Sequence, residues 1–116
     1  IQVVDSRILV LGASFKENCP DLRNTRVVDI VNELQSFHAE VELFDPWADS
    51  EEVAVEFGVT TVVEPESGAY DAVILAVPHD EFRELGTAGI RRWLREPGVL
   101  YDVKAALPLG DADERL

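Results

Sequence analysis

Residues 7–12 read Arg7-Ile8-Leu9-Val10-Leu11-Gly12, a continuous apolar run that ends in glycine. Such a run is typical of a β-strand that is covered on both faces, as the strands of a parallel sheet are. A longer run of the same kind, Asp71-Ala72-Val73-Ile74-Leu75-Ala76-Val77, is the most apolar in the chain and ends at Pro78. We therefore expect these two strands at the centre of one sheet.

Helices and further strands alternate with the two central strands. After the loop that follows residue 12, apolar residues recur at helical spacing, and Asn24 or Thr25 can cap that helix. Residues 39–44 alternate glutamate with apolar residues and stop before Pro46, which favours a strand nearer the sheet edge. The remaining predictions are a helix at 51–57 capped by Ser50, a strand at 60–63, helical pieces at 80–85 and 90–94, and a strand at 98–103. Residues 105–116 are predicted to form a loose acidic tail.

This order of elements predicts a Rossmann-like α/β fold. Parallel strands need crossover connections, which are right-handed almost without exception, so the strands are expected in the order 3-2-1-4-5. The result is a three-layer sandwich around a five-stranded parallel sheet. The winding direction reverses between strands 1 and 4, and ligands of open α/β sheets bind beside such a point, at the carboxyl ends of the strands. The segments delivered to that edge are the loop 12–23, Asp45-Pro46, Pro78-His79 and Lys104.

Composition restricts the class of protein. A chain of 116 residues is the size of one domain, here 1–104 followed by the tail. The net charge of -13 excludes sequence-independent binding to nucleic acid or to an anionic membrane surface. No apolar run approaches the roughly twenty residues that span a bilayer, and a single cysteine favours a reducing, cytoplasmic setting. Because no methionine stands at position 1 or anywhere else, we expect the chain to be part of a longer protein.

The loop between the first strand and the first helix is the candidate site. The chain has two lysines, Lys16 and Lys104, against 23 acidic residues, and both are predicted at the carboxyl edge of the sheet. Strands 1 and 5 flank strand 4, so their ends lie about 10 Å apart and both lysines could contact one diphosphate. The alternatives are a solvent-facing Lys16 and a Lys104 that caps the exit of strand 5. The first turn lacks G-x-G-x-x-G, so we expect no independent NAD site here.

Four segments together resemble the C-terminal domain of the UDP-glucose/GDP-mannose dehydrogenase family. They appear in the family's order and extend the resemblance over about residues 7–104. The Asn18-Cys19-Pro20 variant within the first segment is most similar to the branch that acts on UDP-N-acetylhexosamines, whereas UDP-glucose enzymes usually differ there. The four segments are Phe15-Lys16-Glu17-Asn18-Cys19-Pro20-Asp21-Leu22-Arg23-Asn24-Thr25, Phe44-Asp45-Pro46-Trp47, Ala76-Val77-Pro78-His79-Asp80-Glu81-Phe82 and Asp102-Val103-Lys104.

The resemblance implies an NAD-dependent, four-electron oxidation of a sugar C6 alcohol to a carboxylate, for polysaccharide biosynthesis. The family's full enzyme is a homo-oligomer with an N-terminal NAD domain, a central helical region that bears the catalytic cysteine, and this UDP-binding domain. NAD would then be bound mainly outside this chain, which would be inactive alone. On the matching positions, Phe15 and Lys16 would contact the UDP-sugar, Lys104 would be a substrate-binding cation, and Arg23 would reach towards NAD.

Other residues have simpler interpretations. Arg23 could instead pair with Asp21 or Glu17. Cys19 is expected to pack under the loop rather than act as a nucleophile, and His79 is expected to be structural or solvent-facing. No residues stand at metal-ligand spacing, so no metal is predicted. The functions that compete with a UDP-N-acetylhexosamine dehydrogenase domain are a UDP-glucose or GDP-mannose dehydrogenase domain, a free-standing nucleotide-binding or regulatory module, and an interaction domain.

Overall fold

The computed structural model of the chain describes residues 4–23, 25–108 and 110–115. All strand pairs are parallel, and the sheet has the order β3-β2-β1-β4-β5-β6. The predicted order 3-2-1-4-5 is therefore confirmed, with one further short strand beyond β5. The elements are β1 Arg7–Leu11, α1 Val27–Ser36, β2 Glu40–Phe44, α2 Ser50–Phe57, β3 Thr60–Thr61, β4 Tyr70–Leu75, α3 Asp80–Arg91, β5 Leu94–Asp102 and β6 Glu114–Arg115.

The central strand β1 separates two hydrophobic cores. Side chains of successive strand residues point to opposite faces, so Val10 packs with α1 and α2 while Leu9 and Leu11 pack with α3. Both faces of β1 are thus covered, which is why its sequence is apolar without alternation. The three-layer sandwich is confirmed.

Several element boundaries differ from the predictions. Residues 90–94 do not form a separate helical piece, because α3 continues to Arg91 and Leu94 begins β5. The predicted break at Gly86 is present as a kink with φ 68° and ψ 177°. Helix α2 begins one residue earlier than predicted, and its cap is the Asp49 carboxylate, which accepts a hydrogen bond from the Glu52 N–H at 3.0 Å.

Residues 105–108 and 110–115 make defined contacts with the sheet and α3, in contrast to the loose tail that the sequence suggested. Leu107 is buried in the core under α3, and β6 pairs with β5. The Asp113 carboxylate accepts a hydrogen bond from the Leu100 N–H at 2.8 Å and pairs with Arg91, and these contacts lower the pKa of Asp113. The segment supplies polar partners to the outer edge of β5, which would otherwise leave backbone groups unpaired.

The buried carboxylate of Asp45, directly after β2, joins the carboxyl ends of three central strands. Its side chain is 1% exposed. It accepts five hydrogen bonds, from backbone after β1, from its own turn and from the ring after β4. The donors are the N–H groups of Ala13 at 2.6 Å, Ser14 at 3.2 Å, Trp47 at 2.7 Å and Ala48 at 3.0 Å, and Nε2 of His79 at 3.0 Å.

These hydrogen bonds decide the charge state of Asp45. Burial alone would raise the pKa of this carboxyl, but the bonds from His79 and the backbone outweigh burial and lower the pKa from about 3.8 to about 2. Asp45 is therefore ionised at neutral pH, and its stabilising contacts depend on that charge.

Replacing Gly12 by alanine is expected to destabilise the fold by about 3 kcal/mol. Gly12 has φ +95°, and an added Cβ would lie 2.5 Å from Val77 Cβ and 2.9 Å from Val77 N. Gly58 has φ +62° with nothing within 4 Å, so Gly58→Ala measures backbone strain alone, about 1 kcal/mol. Denaturant unfolding of both variants would measure the difference. Equal losses would show that the close approach to Val77 is not a constraint.

Asp45→Asn is expected to destabilise the protein at pH 7 by at least about 2 kcal/mol, the value that corresponds to its pKa shift. A lowered folded pKa stabilises above pH 4, and that contribution is lost as the pH falls from about 4 towards 2. The difference in unfolding free energy between wild type and variant should therefore shrink over this range. Asp29→Asn, at an exposed carboxylate on α1, is the matched control and should change stability by less than about 0.5 kcal/mol. A difference that does not vary with pH would contradict this prediction.

Candidate functional site

The connection between β1 and α1 is a long loop that hydrogen bonds close on itself. The Phe15 N–H donates to the Asp21 carbonyl at 2.7 Å, and Ser14 Oγ donates to the Lys16 carbonyl at 3.1 Å. Thr25 Oγ1 donates to the Ala13 carbonyl at 2.7 Å and accepts from the Val27 N–H at 3.2 Å. The N-cap position of α1 is Arg26, which makes no side-chain cap hydrogen bond, so the predicted cap at Thr25 is wrong by one residue, although its hydroxyl accepts from the first residue of the helix. Asn24, the other predicted cap, lies outside the described residues. These hydrogen bonds hold the two ends of the loop together.

Asn18 connects this loop to the start of α3. It has φ 58°, a left-handed conformation that asparagine tolerates better than most residues. Its N–H donates to Nδ1 of His79 at 2.8 Å, and its Oδ1 accepts from the Asp80 N–H at 2.9 Å. The sequence analysis used Asn18 only as part of a motif and missed this role. The signal was the residue type, because asparagine is favoured both in left-handed turns and at helix starts.

A second buried carboxylate organises the exit from β5. Asp102 is 0% exposed and accepts hydrogen bonds from the N–H groups of Ala106 at 3.0 Å and Leu107 at 2.9 Å. This closes the turn that carries Lys104 and leaves the lysine side chain exposed. The carboxylate of Asp102 therefore accepts the hydrogen bonds of the backbone that follows β5. The alternative role of Lys104, as a cap at the end of this strand, is not needed.

Two of the predicted substrate-binding residues share one cavity at the carboxyl edge of the sheet. Its volume is about 200 Å³. Phe15 is 50% exposed there, so its ring is available to a ligand. Arg26, which sequence reasoning did not single out, adds a second cation beside Lys104. The lining residues are Ser14, Phe15, Thr25, Arg26, Val27, Ile30, Ala76, Val77, Val103 and Lys104.

The other two predicted residues lie outside this cavity. Lys16 is exposed and does not line it. Arg23 is 87% exposed and makes a bidentate pair with Asp21, 2.9 Å between Nη2 and Oδ2, which lowers the pKa of Asp21. The pairing with Asp21 is one of the two alternatives that the sequence left open. Arg23 faces a separate cavity of about 270 Å³ that also contains Glu52 and Glu56.

The described residues do not fit a dinucleotide at the first turn. The connection from β1 to α1 occupies residues 12–26, so no helix begins directly after the strand to approach a pyrophosphate. Asp45 stands where a ribose-binding acid would, but its carboxylate is turned inward and used by backbone N–H groups. Cys19 is half-buried. Within residues 4–23, 25–108 and 110–115, no group of three potential metal ligands is assembled, and no helix is long and apolar enough to cross a membrane.

The curated proteins that are similar to this chain include two that match it from end to end. The chain is 48% identical over 116 residues to the UDP-N-acetyl-D-glucosamine 6-dehydrogenase of Salmonella typhi and 49% identical over 116 residues to that of Pseudomonas aeruginosa. In both cases 100% of the chain is matched. The chain spans 27% and 28% of the length of these relatives, respectively.

The fold and a family model agree with these matches. A UDP-glucose dehydrogenase from the archaeon Pyrobaculum islandicum superposes with a TM-score of 0.65 and 27% identity, over 85% of this chain and 22% of that one. The model of the UDP-glucose/GDP-mannose dehydrogenase family, UDP binding domain, matches residues 9–108. The matched span contains the loop, both buried carboxylates and every residue that lines the cavity. This chain belongs to the UDP-glucose/GDP-mannose dehydrogenase family, as a UDP binding domain.

Proposed function

We propose that this chain is the UDP-sugar-binding domain of an NAD-dependent nucleotide-sugar 6-dehydrogenase. The enzyme oxidises the C6 alcohol of a UDP-N-acetylhexosamine to a carboxylate. The observation that carries this proposal is the cavity at the carboxyl edge of the sheet, which combines the Phe15 ring with the cations Lys104 and Arg26.

The chemistry of this cavity suits a nucleoside diphosphate. A half-exposed aromatic ring offers a stacking surface to a base, and stacking is worth about 1–3 kcal/mol per base. Lysine and arginine bind phosphate oxygens through charge-assisted hydrogen bonds, which are the strong ones. The net charge of the chain is -13, so its general surface composition does not account for a group of cations at this edge of the sheet. Lys16 adds a further cation on the same loop, and we assign it to the substrate as well.

The preference for an N-acetylhexosamine rests on the relatives. Two UDP-N-acetylglucosamine dehydrogenases match the whole chain at 48% and 49% identity, whereas the UDP-glucose dehydrogenase of known structure matches at 27%. The Asn18-Cys19-Pro20 segment points to the same branch. Asn18 shapes the loop through backbone contacts, so its identity bears on how Phe15 and Lys16 are presented.

The remaining parts of the reaction are assigned to other domains of the same enzyme. We propose that residues 1–104 form the UDP-binding unit, and that NAD is bound mainly by an N-terminal domain and the nucleophile supplied by a central one. Arg23 would reach towards NAD after exchanging its pairing with Asp21. The full-length enzyme would be a cytoplasmic homo-oligomer that supplies uronic acids for polysaccharide synthesis.

Removing a cation from the site should weaken substrate binding in the full-length enzyme. We expect Lys16→Ala, Lys104→Ala and Arg26→Ala each to raise the KM for the UDP-sugar roughly tenfold or more, because a lost charged hydrogen bond is worth about 1.5–3 kcal/mol. The KM for NAD should stay nearly constant. Steady-state kinetics with each substrate varied in turn would measure both effects.

Arg92→Ala is the matched control for these variants, because Arg92 is an exposed cation at the end of α3, away from the cavity lining. It should leave both KM values unchanged. A variant of Lys16, Lys104 or Arg26 that behaves like Arg92→Ala removes that residue from the site. Equal effects of all four would point to general charge rather than to a binding site.

The 116-residue chain by itself should bind UDP weakly and catalyse no NAD reduction. Calorimetric titration with UDP and with UDP-N-acetylglucosamine would measure binding, and absorbance of NADH would measure turnover. Binding that Phe15→Ala weakens would support the cavity as the nucleotide site. NADH formation by the chain alone would contradict the assignment of hydride transfer to other domains.

A further inference from the structure

His79 is a fully buried imidazole whose two nitrogens have different partners. Its exposed fraction is 0%. Nδ1 accepts the hydrogen bond from the Asn18 N–H at 2.8 Å, so Nδ1 carries no proton. Nε2 lies 3.0 Å from Asp45 Oδ2 and 3.3 Å from Ser14 Oγ, and must be the nitrogen that donates to the carboxylate. The geometry therefore defines one neutral tautomer, with the proton on Nε2.

Aromatic neighbours hold this ring in one orientation. The Trp47 ring stacks on His79 with centroids 6.2 Å apart and an interplanar angle of 29°, and the Phe82 ring lies 5.8 Å away. A flipped ring would place carbon atoms where the two hydrogen-bonding nitrogens stand. The Asn18 N–H would then lose its acceptor, and Asp45 Oδ2 would lose one of its three donors, so the flipped ring is disfavoured.

His79 thus forms a bridge of two hydrogen bonds, one to the buried Asp45 carboxylate and one to the loop between β1 and α1. On one side is Asp45, which the backbone around β1 and β2 holds in place. On the other side is Asn18, two residues after Lys16 and three after Phe15. The Asn18 side chain returns to the Asp80 N–H, next to His79, so the loop is attached to α3 at two points.

We propose that His79 is the positioning residue of the substrate-binding loop. Through Nδ1 it fixes the Asn18 backbone, and so sets where Phe15 and Lys16 present their side chains to a nucleoside diphosphate. This inference rests on the proposed function, since it concerns the binding of the same substrate. His79 itself does not touch the ligand and is not a catalytic residue.

Two substitutions separate positioning from plain core packing. In His79→Asn, the amide oxygen can replace Nδ1 as acceptor for the Asn18 N–H, but the side chain is too short to donate to Asp45. In His79→Gln, the amide nitrogen can replace Nε2 as donor to Asp45, but the Asn18 N–H loses its acceptor. The two variants therefore remove opposite ends of the bridge.

The test is made in the full-length enzyme. We expect His79→Gln to raise the KM for the UDP-sugar by about tenfold with little change in kcat, because a small misplacement of binding groups is costly. His79→Asn should raise this KM less, although it should lower the thermal midpoint more, since it removes one of the five donors to the buried Asp45 carboxylate. Hydrogen exchange of the peptide that covers residues 13–25, without substrate, should accelerate more in His79→Gln than in His79→Asn.

The proposal is supported if His79→Gln has the higher KM of the two variants and His79→Asn has the lower thermal midpoint. It is overturned if one variant is the more impaired in both measurements, or if the exchange of the loop is unchanged in His79→Gln. His38→Gln repeats the substitution at the other, exposed histidine and should leave the KM and the exchange of the loop unchanged. The exchange measurement does not depend on activity. A wild-type enzyme that neither binds nor oxidises UDP-sugars would refute the proposed function. Hydrogen exchange would still test whether His79 holds the loop in place.

Discussion

The hydrogen bonds to the buried Asp45 carboxylate are the constraint on which the ligand edge depends. A carboxylate that is 1% exposed is tolerable only if its oxygens are satisfied, because an unpaired buried charge costs several kcal/mol. Asp45 obtains its donors from the loop after β1, from its own turn and from the ring after β4. To satisfy one charge, the chain must bring three strand ends into a single arrangement. The position of the loop that carries Phe15 and Lys16 follows from that requirement.

The same principle shapes the opposite side of the site and affects its electrostatics. Asp102 closes the turn before residue 107 with backbone N–H groups, as Asp45 closes the loop after β1. Both acids accept hydrogen bonds from backbone donors. The cavity cation Arg26 makes an exposed ion pair with Asp29 at 3.2 Å. Such a surface pair is weak and can be exchanged for a phosphate.

The parts of this structure that were predictable are those that hydrophobic pattern controls. Residues 7–11 and 71–75 are apolar without alternation because both of their faces are buried, and this alone placed β1 and β4 at the centre and set the strand order. Interactions between distant residues were not predictable in this way. β6 has only two residues and exists because β5 offers it an edge, and Leu94 joins β5 because Tyr70 lies opposite.

The candidate site shows the same division. Motifs identified Phe15, Lys16, Lys104 and Arg23, but a motif does not say which side chains share a cavity. Arg26 enters the cavity because Thr25 ties the end of the loop to Ala13, and no local pattern shows this contact. The start of α3 also lacks the glutamate or glutamine of a capping box. The local sequence therefore does not indicate that Asn18, 62 positions away, supplies the acceptor for the Asp80 N–H.

The placement of Phe15 and Lys16 restricts the kind of ligand that can use both. The two residues are adjacent in sequence, yet Phe15 lines the cavity and Lys16 does not. A single phosphate ion in the cavity would contact Lys104 and Arg26 and leave Lys16 without a role. A ligand that contacts all three cations and the ring must extend from the cavity across the loop. A nucleotide sugar has this form, with a base at one end, two phosphates in the middle and a sugar at the other end, and the proposed function requires that its sugar leave this domain to reach the nucleophile.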